Sequence, residues 1–205
     1  MPVYNTKPDH FVEALACVFG QDSGLTSLEK VIIIDDGSTN EDIKEILRTF
    51  SSFFTSFIQL IRIEHEGTSA ALNAGHALVK TEYVALMGSD DVCDKSRFRL
   101  QMEYLKRHPE TDVLGTNLFA FWDDDITRKP IFTTHGTEIA TPMGGDKRWV
   151  VNHGTVIYRN SAVLGAGGYN LPGRAQDVEL WSRMLAKGYV FRNITQVICG
   201  WRRYR

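Results

Sequence analysis

Cysteine is scarce in this 205-residue chain: Cys17, Cys93 and Cys199 are odd in number and far apart. Such spacing makes neither a disulfide framework nor a zinc cluster, and it fits a reducing compartment, the cytoplasm. A basic excess is also missing. With 23 Lys and Arg against 25 Asp and Glu, the formal net charge is −2, so no nucleic-acid partner is expected. No uninterrupted apolar run approaches the roughly 20 residues that cross a bilayer, and the first residues lack a charged stretch followed by an apolar core. Neither an integral membrane segment nor a leader is therefore expected. The chain carries no repeat and no low-complexity tract. It has no G-x-G-x-x-G after a strand, which speaks against a dehydrogenase, and no Gly-rich, Arg-containing phosphate loop near the start, which speaks against a nucleotidyltransferase.

What is present is an ordinary globular composition, 43% hydrophobic and 23% charged, long enough for one sizeable core in a single domain. The stretch that organises it is Ala85-Leu86-Met87-Gly88-Ser89-Asp90-Asp91-Val92-Cys93. Residues 83–87 are uncharged and predict a buried strand that empties into two adjacent carboxylates. Adjacent Asp side chains repel unless a cation or hydrogen-bond donors compensate them, and hard oxygen ligands suit Mn²⁺ or Mg²⁺. The competing expectation is a solvated loop in which Asp91 or Asp94 caps a helix starting near Ser96.

The remaining pattern is strand and helix in alternation. Met1-Pro2-Val3-Tyr4-Asn5 is a turn that normally follows a strand, so the first strand is abbreviated or missing. Residues 10–19 have helical spacing through Phe11, Leu15 and Val18. Residues 30–34 are β-branched, like a central parallel strand, and end at Asp35-Asp36-Gly37-Ser38-Thr39. Ser38 with Glu41 satisfies a capping box for the next helix. Residues 57–63 predict a strand, 68–78 a helix and 96–108 a helix stopped by Pro109. This order implies a parallel sheet whose ligand cleft lies at the strand C-termini. The second half differs. It predicts a strand over 112–121, a turn at 122–125 whose acidic triplet reads as solvated, and a hairpin partner at 131–134. A loop at 143–146 suits a lid, and further strands are expected at 154–158 and 197–201. Between these lie a turn at 165–168 and an amphipathic helix over 177–186, with Trp181 in its core-facing stripe.

Taken in order, several pieces resemble the inverting family 2 glycosyltransferases of GT-A fold. They are Met1-Pro2-Val3-Tyr4-Asn5, the 31–39 stretch, Ser69-Ala70-Ala71-Leu72-Asn73-Ala74-Gly75, Gly88-Ser89-Asp90-Asp91, the Arg97 to Gln101 segment, His153-Gly154-Thr155-Val156-Ile157-Tyr158-Arg159, Gly167-Gly168-Tyr169, and Gln176-Asp177-Val178-Glu179-Leu180-Trp181. The resemblance covers essentially the whole chain. It implies an α/β fold, a Rossmann-like and mostly parallel sheet with helices on both faces, plus a small mixed β region. Residues 1–115 would bind nucleotide and metal, and 116–205 the acceptor.

The resemblance also implies roles. Asp90, with Asp91, would hold Mn²⁺ or Mg²⁺ against the diphosphate of a UDP-sugar, although Gly88 stands where the family commonly has its first acid. Asp36 would accept from the uracil edge, and Tyr4, beside Pro2, would pack on the base. Asp35 is read as structural. Asn73 and Ser89 fall on the donor site, and His153 flanks it, where an imidazole would meet donor or diphosphate oxygens. Asp177 would be the general base for an acceptor hydroxyl on a carbohydrate or another alcohol, with Gln176 replacing the first acid of a family pair. Arg202 would reach the diphosphate, or join Arg203 and Arg205 in a solvated tail with weak membrane-surface association. The abbreviated start, Gly88 and Gln176 also fit a rival expectation, a catalytically silent nucleotide-sugar-binding protein.

Overall fold

The computed structural model of the chain describes residues 1–22, 28–123, 125–131, 151–172 and 175–204. Its first half alternates as the apolar spacing predicts. β1 (Pro2–Val3) leads to α1 (Pro8–Phe19), β2 (Val31–Asp36), α2 (Glu41–Phe53), β3 (Ile58–Ile63) and α3 (Thr68–Leu78). The strands form a parallel sheet in the order β1-β2-β3, so the β-branched β2 is its buried centre. α1 buries Phe11, Ala14, Leu15 and Val18, and α2 buries Ile43 and Leu47. The α2 cap departs from the expected box. Asn40, not Ser38, stands at the N-cap and accepts from the backbone N–H groups of Asp42 and Ile43. Ser38 is diverted because its hydroxyl accepts the Asn5 backbone N–H at 3.0 Å.

The simple alternation stops at β4 (Tyr83–Ala85), which is not the fourth strand of the parallel sheet. It ends a second sheet of order β4-β8-β6-β9-β5, built from β5 (Val92–Cys93), β6 (Val113–Trp122), β8 (Ile157–Arg159) and β9 (Phe191–Arg202), with β7 (Asp125–Ile131) pairing β6. β4 runs antiparallel to β8, with Val84 opposite Tyr158, while β6 and β9 are parallel. The apolar run at 83–85 suits either kind of partner, and β4 takes the antiparallel one, while a cavity of about 430 Å³ is lined by Ile32 and Ile34 of β2, Val84 of β4 and Leu86 just after it, among others. The hairpin of the second half forms one step earlier than expected, with β7 at Asp125–Ile131; the remainder of the 131–134 segment and the 143–146 loop lie outside the described residues.

A 3-10 turn, His153–Thr155, precedes β8, and α5 (Asn160–Gly165) follows it, a helix that the sequence pattern does not announce. α4 (Arg97–Arg107) and α6 (Gln176–Ala186) match the predicted helices, and Trp181 is core, 2% exposed. One buried cation fixes the central strand ends. Arg97, fully buried, donates to the Leu86 carbonyl at 2.8 Å, and Gln101 one turn later bridges the carbonyls of Leu114 and Thr155. These bonds satisfy backbone groups beyond the end of β4, where the acidic loop begins. Among the described residues, no helix is long and apolar enough to cross a membrane.

Candidate functional site

The nucleotide-side residues gather at the C-terminal end of the parallel sheet. Asp35, at the end of β2, accepts the Ser38 backbone N–H at 2.9 Å and pairs with Arg62, whose other nitrogen reaches the Ser38 carbonyl. That is a structural role. Asp36 is 3% exposed, and its carboxylate accepts from the backbone N–H groups of Glu66 and Gly67 and from His65 Nδ1 at 2.9 Å. It therefore locks the turn between β3 and α3. Tyr4 follows the Pro2–Val3 strand, is 45% exposed and stacks on His65, with ring centroids 3.8 Å apart and planes 10° apart. Asn5 holds this corner by accepting from the backbone N–H groups of Thr39 and Asn40. His65 is a site neighbour that the sequence reading passes over; the Glu64-His65-Glu66-Gly67 run between strand and helix was its only signal.

The acidic loop after β4 is held from outside. The Ser89 hydroxyl is 2.6 Å from that of Thr6, and the Asp90 carboxylate accepts from the Tyr204 hydroxyl at 2.7 Å. Asp91 turns inward. Its Oδ1 accepts the Arg202 backbone N–H at 3.0 Å, and its Oδ2 takes no hydrogen bond among the described residues. Burial, then the charge of Asp90, lift its carboxyl from the ordinary range to about 7. The glycine at 88 belongs with this inward turn, because a Cβ there would lie 2.5 Å from Asp91 Oδ2. Neither capping candidate caps α4 with its side chain: Ser96 stands at the N-cap without a side-chain cap bond, and Asp94 instead accepts the Ser96 backbone N–H at 2.8 Å.

Arg202 is 5% exposed and sits beneath the loop. Its guanidinium donates to the Asp90 carbonyl at 2.7 Å, pairs with Asp123 and Glu13, and lies 4.6 Å from the Phe121 ring centroid. Asp123 meanwhile pairs with His10 at 3.0 Å. The first acid of the triplet is thus an anchor, which the expectation of a merely solvated turn did not foresee.

On the other side stands Asp177, in the first turn of α6. It is half-buried and makes no hydrogen bond or salt bridge among the described residues. The 3-10 turn joins the two sides: a Cβ on Gly154 would lie 3.3 Å from Asp91 Oδ2, while His153 feels the charge of Asp177. His153 Nε2 is 2.9 Å from the Tyr169 hydroxyl, and burial pushes its pKa down to about 4, so the ring is neutral.

Asn73 acts through Tyr169. Its amide donates to the Tyr169 carbonyl at 2.8 Å and accepts the Tyr169 N–H at 2.9 Å, the pair of bonds a neighbouring strand would make. Gly168 permits the approach, since its φ is +69° and a Cβ would lie 2.7 Å from Asn73 Oδ1. Asn73→Ala is expected to cost about 1–3 kcal/mol of stability, because two backbone groups lose their partners, and urea unfolding measures it.

The model of the family described as Glycosyl transferase family 2 matches residues 1–164. An uncharacterized glycosyltransferase of Haemophilus influenzae is 27% identical over 173 residues, 83% of this chain and 62% of its own length. The amylovoran biosynthesis glycosyltransferase AmsE of Erwinia amylovora is 25% identical over 96% of this chain and 72% of its own. An Escherichia coli UDP-Gal:alpha-D-GlcNAc-diphosphoundecaprenol beta-1,3-galactosyltransferase is 23% identical over 98% of this chain and 72% of its own. Among solved structures, residues 1–349 of S. aureus TarS in complex with UDP-GlcNAc superpose with a TM-score of 0.80 at 16% identity, over the whole of this chain and 57% of that one. The mannosyltransferase PcManGT of Pyrobaculum calidifontis, in complex with GDP-Man and Mn²⁺, gives 0.72 at 16% identity, over 98% of this chain and 55% of that one. This chain thus spans little more than half the length of these structures.

Proposed function

The chain belongs to glycosyl transferase family 2, and from that premise we propose that it moves a sugar from a UDP-sugar to an acceptor hydroxyl with inversion at the anomeric carbon. The observation that carries the reading is Asp177: a half-buried carboxylate with no hydrogen-bond or salt-bridge partner among the described residues, joined through the His153–Thr155 turn to the loop of Asp90 and Asp91. The family match and the UDP-GlcNAc complex of TarS support the donor class.

Each residue then has a physical task. Asp36 and Tyr4 bind the base, the carboxylate as acceptor for a ring N–H and the phenol ring by stacking on its face not covered by His65. Asp177 accepts the proton of the acceptor hydroxyl while that oxygen bonds to the anomeric carbon, and the bond from that carbon to the diphosphate breaks. Asp90 and Asp91 fit a divalent ion. Both are hard oxygen ligands, and Asp91 Oδ2 is free of hydrogen bonds among the described residues. Two carboxylates are also what Mn²⁺ or Mg²⁺ takes when phosphate and water complete its shell. Such an ion would supply Lewis-acid stabilisation to the leaving diphosphate, and the Mn²⁺ in the PcManGT complex supports the assignment.

The test is UDP release from UDP-glucose, UDP-galactose and UDP-GlcNAc with Mn²⁺ and a panel of sugar acceptors, followed by the anomeric configuration of any product. Acceptor-dependent release with inverted product is expected. Tight UDP binding without release across the panel would leave a silent binding protein instead.

Metal affinity carries its own pH signature. A cation needs Asp91 ionised, and the carboxyl sits at about 7, so proton and metal compete below that point. Mn²⁺ affinity is expected to rise roughly tenfold per pH unit up to about 7 and level off above it. Calorimetry on either side of neutrality measures the rise, and Asp91→Asn is expected to flatten it.

A further inference from the structure

The three cysteines, far apart in the chain, meet in one part of the fold. Cys199 of β9 is 4% exposed, inside the core cluster that also holds Phe11, Leu15 and Phe98, while Cys17 of α1 and Cys93 of β5 are half-buried and pack against that cluster. β5 runs antiparallel to β9, and Cys93 stands directly opposite Cys199. The next pair along is hydrogen-bonded, since the Asp94 N–H donates to the Ile198 carbonyl at 2.8 Å. Bonded and unbonded pairs alternate along an antiparallel ladder, which makes Cys93 and Cys199 an unbonded pair. In such a pair the Cα atoms lie about 4.5 Å apart and both side chains leave the same face. That separation falls within the roughly 4.4–6.8 Å that a disulfide spans. The adjacent pair is equally close: a Cβ at Gly200 would lie 2.6 Å from the side chain of Val92, its partner across the ladder.

We propose that Cys93 and Cys199 are a redox-modification site, at which hydrogen peroxide makes a disulfide that staples the exit of the acidic loop to β9. Cys93 is the half-buried member and meets the oxidant first. Its sulfur attacks one peroxide oxygen, the O–O bond breaks, a sulfenic acid forms, and the departing hydroxide leaves as water with the thiol proton. The Cys199 sulfur then displaces the sulfenic hydroxyl, which leaves as a second water with the Cys199 proton. Two thiols have lost two electrons, and the peroxide has gained them. The Gln21 amide steadies the Cys93 end by donating to its Sγ at 3.5 Å and to the Asp94 carbonyl at 3.0 Å, and the Thr116 hydroxyl donates to Cys199 Sγ at 3.6 Å. The bridge falls two positions after Asp91 and three before Arg202, whose backbone N–H holds the Asp91 carboxylate. It therefore reinforces covalently a clamp that otherwise depends on hydrogen bonds. Neither thiol has a task in sugar transfer, so the site stands whether or not the protein transfers sugar. A bridge that forms and is reduced again also suits a reducing compartment, where the disulfides that occur are chiefly transient.

The test treats the folded protein with hydrogen peroxide at neutral pH, alkylates the remaining thiols and reads the digest by mass. A peptide cross-linked between Cys93 and Cys199, lighter by two hydrogens than its parts and lost on reduction, is expected, with Cys17 still alkylated. A cross-link between Cys17 and Cys93, sulfinic acid without any cross-link, or three intact thiols overturns the proposal. Cys17→Ala keeps both members of the pair, so the same cross-link is expected at equal yield, and its loss in the folded variant overturns the pairing. The staple itself is read by amide hydrogen exchange over residues 89–94. Oxidation is expected to slow exchange there by about threefold or more, and reduction to restore it. Equal exchange in the oxidised and reduced forms overturns the staple.

Discussion

Asp177→Asn is expected to lower turnover by about 10²–10⁴-fold while leaving donor affinity within a factor of about two. The substitution keeps the shape of the side chain and removes its ability to take a proton. Nothing else in the site should move, because Asp177 makes no hydrogen bond or salt bridge among the described residues. The rival role for an acid in this place is electrostatic. Asp177 and Glu179 both stand in the first turn of α6, where a negative charge favours the helix by about 0.3–1 kcal/mol. If that were its whole purpose, the Asn variant would melt slightly lower and work as before. Steady-state kinetics together with UDP-glucose calorimetry separate the two outcomes, and full activity in the variant would remove Asp177 from the reaction.

Arg202→Met is expected to cost about 2–4 kcal/mol of stability and to weaken Mn²⁺ binding in the same stroke. Removing one partner of a buried ion pair leaves the other charge uncompensated, which costs about 3–5 kcal/mol when both are buried. Here the partners Glu13 and Asp123 are half exposed, and Asp123 keeps His10, so the cost falls below that of a fully buried pair. Methionine preserves the apolar stem against Phe121 but gives up the donor to the Asp90 carbonyl. Arg202→Lys should restore little, since one ammonium cannot replace a planar fork that serves three acceptors. A diphosphate-binding Arg202 would give the opposite pattern, with weaker donor binding and an unchanged melting temperature. Thermal unfolding and Mn²⁺ titration of the same variant therefore decide between them.

The sequence made some of this legible and hid the rest for identifiable reasons. Asp35, Asp36, Asp90 and Asp91 could be found because continuous apolar runs point to buried strands, and in an α/β sheet the residues just after them sit at the ligand edge. Trp181 could be placed in the core from helical spacing alone. By contrast, the partner of β4 lies some seventy residues away in β8, and nothing in the 83–87 run distinguishes a strand with a parallel neighbour from one with an antiparallel neighbour. The α2 cap went to Asn40 because Asn5, far off in sequence, claimed the Ser38 hydroxyl. Arg202 looked like a surface cation because its partners come from α1, from the loop after β4 and from the turn after β6. Only the assembled fold brings those three together. Asn73 stands in a motif stretch, yet its hydrogen bonds go to the backbone of Tyr169, a contact across 96 positions that no local pattern encodes.

β9 ends against the acidic loop: β5 pairs with it at Val92 and Cys93, the backbone of Arg202 holds Asp91, and Tyr204 holds Asp90. A change that disturbs only residues 202–204 would thus unclamp both carboxylates without touching either.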